Sequence, residues 1–499
     1  MNTPEQYELY KSKMQRIADI RNASALMQWD QETYMPPKGA TLRGQQISTL
    51  SELSHTLFIE EELGSILNDL SGKNDLDITQ KRNVARTLED YQKNKKYTSA
   101  FVRALSDQVN KAFHAWIESR KQNAFSIFQP ELDKLIALKK QEAQLLGFEK
   151  HPYDALLDEF EKGCTVELLD KTFSGIIPVL KTLLGKIAAR PQVDDSFLQQ
   201  AFPKEKQWEW GMHLVKQLNF DFEAGRQDIS EHPFSTSFNS KDVRITTRID
   251  ENDFANMTWS CIHETGHALY EQGLLSENYG LPLGEACSYS IHESQSRLWE
   301  NNVGRSLVFW RYYFSGLQQF FPEQFKNVTV DQFYKGINKV QPSFIRTEAD
   351  EITYHFHVYI RYELEKKLID GSLSTGDIPA YWNEQYKQLM DITVPDDKNG
   401  CLQDVHWSHG SFGYFPTYSL GSFYAAQFFH QAEKEIPLLQ SGLEKGDSSL
   451  LLKWLREKIH SKGRFYTSEE LCKAVTGTGL EINSFTSYLL DKYSSIYTL

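Results

Sequence analysis

The chain has 499 residues, a formal net charge of -13 and a pI near 5.6, which argues against nucleic-acid binding through phosphate neutralisation. Hydrophobic residues make up 40% and charged residues 24%, values typical of a globular protein rather than a disordered one. The five cysteines are scattered and contain no CxxC pair, which favours reduced thiols over a disulfide framework or a cysteine metal site.

The N-terminal segment has no uninterrupted apolar core and no small-residue cleavage site, so no signal peptide is expected. No apolar run approaches the length needed to cross a membrane. These features predict a cytoplasmic protein without membrane contact.

After the Pro-Pro turn at 36–37, no proline occurs until Pro130. The interval is rich in Leu, Glu, Lys, Ala and Gln, with apolar residues at helical spacing. It predicts long antiparallel helices, with breaks near 71–75 and 129–130. Further helical patterns lie at 130–146, 165–190, 204–218, 255–274, 284–317, 330–340, 345–370, 378–391, 418–436, 447–461 and 467–494.

One region differs from this helical pattern. In 234–238 and 243–249, β-branched and aromatic residues alternate with polar ones, around a turn at Asn239–Asp242. This pattern predicts a β-hairpin. The edge of such a hairpin can hold an extended peptide by main-chain hydrogen bonds, or the hairpin can serve packing alone.

The sequence CIHETGHALY, residues 261–270, carries an HExxH pattern. On a helix, His263 and His267 are related by about 40° of rotation and about 6 Å of rise, so both imidazoles can reach one metal ion. Glu264 is turned roughly 100° from His263, where its carboxylate can reach a water on the metal. The alternative is a solvated helix that carries two histidines by chance. Gly266 is costly on a plain helix, and is less so where a backbone or substrate passes close by.

A catalytic zinc needs a third protein ligand. Glu293 lies 293 − 267 = 26 residues after His267, beyond a loop that can turn the chain back. It is favoured over the neighbouring His292, because two His and one Glu form the ligand set usually paired with HExxH. Ser296 and Glu300 share the helix face of Glu293 and can either support the ligands or be ordinary polar groups.

At this point the chain resembles the Taq carboxypeptidase family of zinc metallocarboxypeptidases, over essentially its full length. The resemblance rests on six ordered motifs: His232-Pro-Phe234, Asp242-Val-Arg-Ile-Thr246, His263-Glu-Thr-Gly-His267, His292-Glu-Ser-Gln295, Ile345-Arg-Thr-Glu-Ala-Asp350 and Gly400-Cys-Leu-Gln-Asp-Val-His-Trp407. It implies a mainly α, saddle-shaped fold with a deep central groove and a small hairpin near the zinc, similar to neurolysin and angiotensin-converting enzyme. It also implies a homodimer, broad-specificity removal of single C-terminal residues, and activity with Co2+ in place of Zn2+.

Zinc on His263, His267 and Glu293 would polarise the scissile carbonyl and lower the pKa of a water molecule. Glu264 is expected to act as general base and then as general acid. The oxyanion needs a second donor. Tyr418 is preferred for this over Tyr414, although both tyrosines can equally be packing residues. His406 is a further candidate, for the oxyanion or for the substrate carboxylate.

The substrate's terminal carboxylate calls for a guanidinium, which can donate two parallel hydrogen bonds. The resemblance points first to Arg346, with Arg244 as second candidate. The alternative for both is a structural ion pair, with Asp350 or Asp242, and this is favoured for Arg244. His232 is expected to border the groove or to cap the hairpin, and Asp404 to orient a neighbour.

The sequence therefore predicts a zinc carboxypeptidase acting on peptides with a free C-terminal carboxylate. The alternatives are an oligoendopeptidase or dipeptidyl carboxypeptidase, and a catalytically silent peptide-binding zinc protein. We expect 1–499 to form one integrated unit, with 1–125 as helices that can cover the groove and 230–420 as the zinc and substrate core. Side-chain preference, substrate length and physiological substrate are not encoded in any readable pattern.

Overall fold

The computed structural model describes residues 1–499, and the chain is mainly helical, as predicted. The first eleven helices are α1 (Thr3–Thr33), α2 (Ala40–Phe58), α3 (Glu61–Ser71), α4 (Ile78–Asn94), α5 (Ser99–Gln122), α6 (Phe125–Leu146), α7 (Pro152–Phe160), α8 (Val166–Ala188), α9 (Lys204–Gln217), α10 (Phe254–Glu271) and α11 (Tyr289–Arg297). The remaining ten are α12 (Leu307–Phe320), α13 (Pro322–Phe325), α14 (Val330–Gly336), α15 (Tyr354–Asp370), α16 (Ile378–Met390), α17 (Pro416–Glu435), α18 (Leu439–Leu443), α19 (Ser449–Lys458), α20 (Ser468–Thr476) and α21 (Asn483–Tyr497). No helix combines the length and the apolar character that spanning a bilayer requires.

The chain forms two compact units, each assembled from three segments of sequence. The first unit, called here the HExxH unit, contains Met1–Lys95, Asp194–Ile337 and Phe428–Gly479. The second, called here the arginine unit, contains Lys96–Val193, Asn338–Gln427 and Leu480–Leu499. The predicted roles of 1–125 as a cover and of 230–420 as the core stay predictions.

The predicted hairpin is present, as β2 (Ser235–Asn239) and β3 (Asp242–Thr247) paired antiparallel. A third strand, β1 (Gly225–Ile229), pairs parallel to β3, so the strand order is β1-β3-β2. The polar sequence of β1 hides it from pattern analysis. Its inward residue Gln227 makes a tertiary contact, because its side-chain nitrogen donates to the Cys261 sulfur of α10 at 2.9 Å.

The N-terminal helices α1, α3 and α4 share a hydrophobic cluster with Leu281, which lies in the connection between α10 and α11. The amide of Leu283 in that connection donates to Asn83 Oδ1 on α4 at 3.0 Å. The amide of Cys287 donates to the Tyr270 hydroxyl on α10 at 2.9 Å. These contacts hold the loop that returns the chain from α10 to α11.

The single helix predicted at 284–317 is wrong, because residues 284–288 are not α-helical and two helices follow them. Ser288 caps α11 by accepting from the Ile291 amide, and Ser306 caps α12 by accepting from the Phe309 amide. Between the two helices, 298–304 form a π-helix, a form often found at functional sites. Serine hydroxyls compete for backbone amides and so begin new helices here.

Three other predicted boundaries are also wrong. Pro130 lies inside α6, and the break falls instead at Asn123, whose left-handed backbone (φ 54°) ends α5. The helix predicted from 345 begins at 354, because Asp350 accepts from the amides of Ile352 and Thr353. The helix predicted over 467–494 divides at Gly477, which has φ +86°.

Candidate metal centre and active site

Helix α10 carries the HExxH sequence and begins where Asp253 accepts from the Ala255 amide at 2.8 Å. Its buried residues recur around most of the helix, because α9, α11 and the sheet all pack on it. His263 and His267 are only partly buried, with 20% and 14% of their side chains exposed. The two imidazole rings lie 4.9 Å apart between centroids, at an interplanar angle of 85°.

Gly266 explains how α11 comes close enough to supply a third group. A Cβ atom on Gly266 would lie 2.5 Å from Cα of Ser296 and 2.8 Å from the carbonyl oxygen of Gln295. Both distances are too short for real contacts, so only glycine lets the α11 backbone approach α10 to this distance. The glycine of HETGH therefore has a packing reason, with a backbone passing beside it.

This approach brings His263, His267 and Glu293 together, with their ligand atoms all within 4.8 Å of one another. Glu293 Oε2 lies 3.8 Å from Nε2 of His263 and 3.6 Å from Nε2 of His267. Tetrahedral ligands at about 2.0–2.1 Å from zinc would be roughly 3.4 Å apart. The donor set and its spacing fit a divalent metal ion of this class.

The imidazole orientations also suit metal binding. Nδ1 of His263 lies 2.8 Å from Oε2 of Glu300, and Nδ1 of His267 lies 3.0 Å from the carbonyl oxygen of His292. Each Nδ1–H donates to its acceptor, so each Nε2 lone pair faces Glu293. Ser296 donates to the Glu293 carbonyl at 2.9 Å and lies 3.4 Å from its Oε2.

The surroundings shift the pKa values of the two histidines in opposite directions. Burial acts to lower the pKa of His263, but the Glu293 and Glu300 carboxylates outweigh it and the pKa is raised. Burial, together with His292 and His263, lowers the pKa of His267 well below its ordinary value. His292 is outside the cluster: its Nε2 lies 2.9 Å from Oε1 of Glu271, and its ring stacks on His267.

Glu264 is buried, with 7% of its surface exposed. Burial raises the pKa of its carboxyl to about 7, against the opposing charge of His263. Ser235 of β2 acts in the opposite direction to burial and lowers this pKa slightly. A carboxyl group with a pKa near neutrality can both accept and return a proton, which is the requirement for a general base that later acts as an acid.

In the arginine unit, Arg346 is buried against Asp404. Its Nε and Nη2 donate to Oδ1 of Asp404 at 3.0 and 2.9 Å, and its Nη1 donates to the Tyr354 hydroxyl at 3.1 Å. Arg361 donates from Nε to the other oxygen of Asp404 at 2.6 Å. Burial acts to raise the pKa of Asp404, but the two guanidiniums outweigh it and hold that pKa well below its usual range.

His406 and Tyr418 are neighbours in the same unit, with Nε2 of the imidazole 3.1 Å from the phenol oxygen. Nδ1 of His406 is buried and makes no hydrogen bond. Burial and the charge of Arg346 lower the pKa of His406 to about 3, so the imidazole is neutral at ordinary pH. The Tyr414 ring packs against both residues, with centroids 5.5 Å from His406 and 5.2 Å from Tyr418.

Arg244 forms the ion pair that the sequence favoured for it. Its Nε and Nη2 donate to the two oxygens of Asp242, both at 3.0 Å, and its guanidinium stacks on Trp29 at 4.4 Å. Asp350 instead accepts from the amides of Ile352 and Thr353 just before α15, and Arg346 pairs with Asp404, so the ion pair suggested between Asp350 and Arg346 is wrong. His232 is exposed in the loop before β2.

Sequence reasoning missed three residues of these sites. Arg297 stands four residues after Glu293 on α11 and donates to its Oε1, a helical spacing that was readable. Ser235 and Arg361 have no such signal, because they reach Glu264 and Asp404 from distant parts of the sequence.

Comparison with known proteins agrees with this geometry. A family model described as Carboxypeptidase Taq (M32) metallopeptidase matches residues 9–493. Carboxypeptidase 1 of Bacillus subtilis is 40% identical over 97% of both chains. Thermostable carboxypeptidase 1 of Thermus thermophilus is 37% identical over 99% of this chain and 100% of its own.

Solved structures give the same result. A protein named CHT is 58% identical with a TM-score of 0.97, covering 98% of this chain and 99% of its own. The M32 carboxypeptidase of Deinococcus radiodurans is 37% identical with a TM-score of 0.97, covering 99% and 100%. The predicted resemblance and the predicted fold class are confirmed. The chain belongs to the Carboxypeptidase Taq (M32) family and is a metallocarboxypeptidase, a hydrolase.

Proposed function

We propose that this chain is a zinc-dependent carboxypeptidase that removes single residues from the C-terminus of peptides with broad specificity. The observation that carries the proposal is the His263, His267 and Glu293 cluster with the buried Glu264 beside it, in a chain of this family. Co2+ is expected to replace Zn2+, because both ions accept four-coordinate sites of nitrogen and oxygen donors.

His263, His267 and Glu293 would hold the ion through Nε2, Nε2 and Oε2. Bound there, the ion would supply Lewis-acid polarisation of the scissile carbonyl and make a water molecule more acidic. The protein keeps both imidazoles in the required tautomer through Glu300 and the His292 carbonyl.

Glu264 takes the proton of the attacking water and returns it to the leaving amine. Its burial favours both steps, because a pKa of about 7 lets the carboxyl group both accept and release a proton near neutral pH.

Arg346 binds the terminal carboxylate of the peptide. Its unit holds an excess of buried positive charge, since Arg346 and Arg361 together share the single carboxylate of Asp404. Three of the five guanidinium N–H donors of Arg346 are engaged by Asp404 and Tyr354, and two can serve a substrate carboxylate. Arg244, paired with Asp242 and stacked on Trp29, is proposed as a support for the central strand β3 rather than as a primary anchor.

Tyr418 is proposed as the oxyanion donor. The Nε2–H of neutral His406 donates to the phenol oxygen at 3.1 Å, which orients the ring and leaves the hydroxyl proton of Tyr418 for the oxyanion. Tyr414 packs on both rings and limits their freedom, and His232 is proposed to border the peptide path.

The test is digestion of an unblocked peptide and of its C-terminally amidated twin, followed by mass spectrometry. We expect the free-acid peptide to give a ladder that loses one residue at a time, the amide to resist, and a chelator to stop the reaction. Internal cleavage of both peptides would favour an oligoendopeptidase, and loss of two residues at a time a dipeptidyl carboxypeptidase.

The matched variant is Glu264→Gln, which keeps the size of the side chain and removes the base. We expect it to keep bound zinc and lose at least about 100-fold in kcat, the range for a general base. Unchanged hydrolysis with zinc retained would refute the role of Glu264, and absence of hydrolysis in the wild type would favour a peptide-binding protein. The homodimer, the cytoplasmic location and a covering role for 1–125 stay predictions.

A further inference from the structure

Glu293 forms an ion pair with Arg297, which lies on the same helix, α11. Nε of Arg297 donates to Oε1 of Glu293 at 2.7 Å, and Nη1 of the same guanidinium lies 3.2 Å from Oε2 of Glu300. Glu300 in turn accepts from Nδ1 of His263. One planar guanidinium therefore connects the carboxylate of one proposed ligand to the acceptor that orients another.

The two oxygens of Glu293 are made unequal by this contact. Oε1 is engaged by Arg297, whereas Oε2 lies 3.8 Å from Nε2 of His263 and 3.6 Å from Nε2 of His267. A guanidinium that holds one carboxylate oxygen draws it away from an ion and favours ligation through the other oxygen.

We propose that Arg297 is a positioning residue that restricts Glu293 to one-oxygen ligation and, through Glu300, sets the tautomer of His263. The inference rests on the proposed function, in which these residues hold the catalytic ion. Its chemical consequence is an open position at the ion, because a second carboxylate oxygen would occupy the place that substrate or water needs.

The far end of this network is also anchored. Arg305 reaches Oε1 of Glu300 with Nη2 at 3.3 Å and donates from Nη1 to the Ile337 carbonyl at 2.6 Å. Its guanidinium stacks on Trp259 of α10 at 4.2 Å. Glu300 lies in the π-helix, which continues directly from α11. The orientation of Glu300 is thus set by Arg297 and by Arg305, and Arg305 is itself held by Trp259 on the helix that carries the histidines.

The charges of the network balance before an ion binds. Glu293 and Glu300 carry two negative charges and Arg297 and Arg305 two positive ones. Arg297 differs from a structural ion pair in contacting a proposed ligand directly. A purely structural role would leave the coordination number of the ion unaffected.

The experiment titrates metal-free protein with Co2+ and records the visible spectrum, since four-coordinate Co2+ absorbs much more strongly than ions with more ligands. Zn2+ dissociation constants are measured in parallel by competition with a chromogenic chelator. In Arg297→Met we expect weaker visible absorption, because Glu293 can then ligate through both oxygens. We also expect a Zn2+ dissociation constant raised by about 10–100-fold, the usual effect of losing an outer partner of a ligand.

The matched control is Arg464→Met. Arg464 also joins two carboxylates in the HExxH unit, donating to Asp90 and Glu285 at 2.9 Å each, and touches no proposed ligand. It should leave the Co2+ spectrum and the Zn2+ constant at wild-type values. Far-ultraviolet circular dichroism shows whether each metal-free variant is folded.

The outcomes separate the two proposals. A wild type that binds no Co2+ would overturn the metal centre and the proposed function with it. A wild-type-like spectrum and Zn2+ constant in folded Arg297→Met would overturn the positioning role alone. Should Arg297→Met not fold, Arg297→Lys keeps the charge but loses the planar fork, and wild-type values in that variant would equally overturn the role of Arg297.

Discussion

The close crossing of α10 and α11 makes Gly266→Ala a sharp test of how the site is built. The added Cβ would meet Cα of Ser296 at 2.5 Å and its amide nitrogen at 3.0 Å. Both are backbone atoms of α11, so no flexible side chain can move aside. Restoring ordinary contact at about 3.4 Å requires the helices to separate by roughly 1 Å.

Glu293 lies one turn before Ser296 and moves with that backbone. Metal–ligand distances tolerate about 0.2 Å, so a shift of roughly 1 Å should weaken Zn2+ binding severely. A displacement of that size can cost about 100-fold in rate. Overpacking should also lower the free energy of unfolding by about 1–3 kcal/mol, against a gain of up to about 1 kcal/mol from replacing glycine in a helix.

The assay combines kcat/KM for release of one residue from an unblocked peptide, the Zn2+ dissociation constant and urea unfolding. The control is Gly316→Ala in α12, where an added Cβ meets nothing within 4 Å. We expect this control to keep activity and to gain up to about 1 kcal/mol in stability from helix propensity.

A folded Gly266→Ala with Zn2+ affinity within threefold of wild type and unchanged kcat/KM would refute the argument. Such a result would mean that α11 can retreat without moving Glu293, and that the close crossing is incidental to the metal centre.

Two further predictions concern the arginine unit. Asp404→Asn leaves Arg346 and Arg361 without their shared carboxylate, so urea unfolding should show a loss of about 3–5 kcal/mol, and no loss would contradict a buried ion pair. The pKa of Asp404 is lower in the folded chain than in the unfolded chain, so its ionisation contributes to the free energy of unfolding above about pH 3.9. Below that pH the contribution should fall by up to about 1.4 kcal/mol per pH unit. The Asp404→Asn variant should lack this slope. Asn123→Ala should cost about 1–2 kcal/mol in thermal unfolding, whereas Asn123→Gly should cost less, because φ is 54° there; equal losses would refute the reasoning.

Local sequence patterns were enough to predict most of the helices and the hairpin. The helical spacing of apolar residues and the β-branched alternation beside Asn239–Asp242 both reflect which face of an element is buried. Boundaries were missed where one residue made a competing contact, as at Asp350, which takes two backbone amides. Strand β1 was missed because the hydrogen-bond acceptor of its buried Gln227 lies on α10, far along the sequence.

The cluster of His263, His267 and Glu293 was also predicted in part from local spacing and decided in part by tertiary structure. HExxH spacing on a helix places His263 and His267 together without any tertiary information, and the loop after α10 made Glu293 a reasonable third member. The choice between Glu293 and His292 depended on the path of α11. In the structure Glu293 faces the histidines, while His292 pairs with Glu271.

The sequence by itself therefore determined the helical class, the family, and His263 and His267 with Glu264, because these depend on local residue spacing and on motifs read in order along the chain. Tertiary structure alone decided which groups surround them. The approach of α11 past Gly266, the guanidinium behind Glu293 and the carboxylate shared by Arg346 and Arg361 all join residues through space. Such contacts depend on how elements pack, and the residue spacing within one segment does not determine the distance between two packed elements.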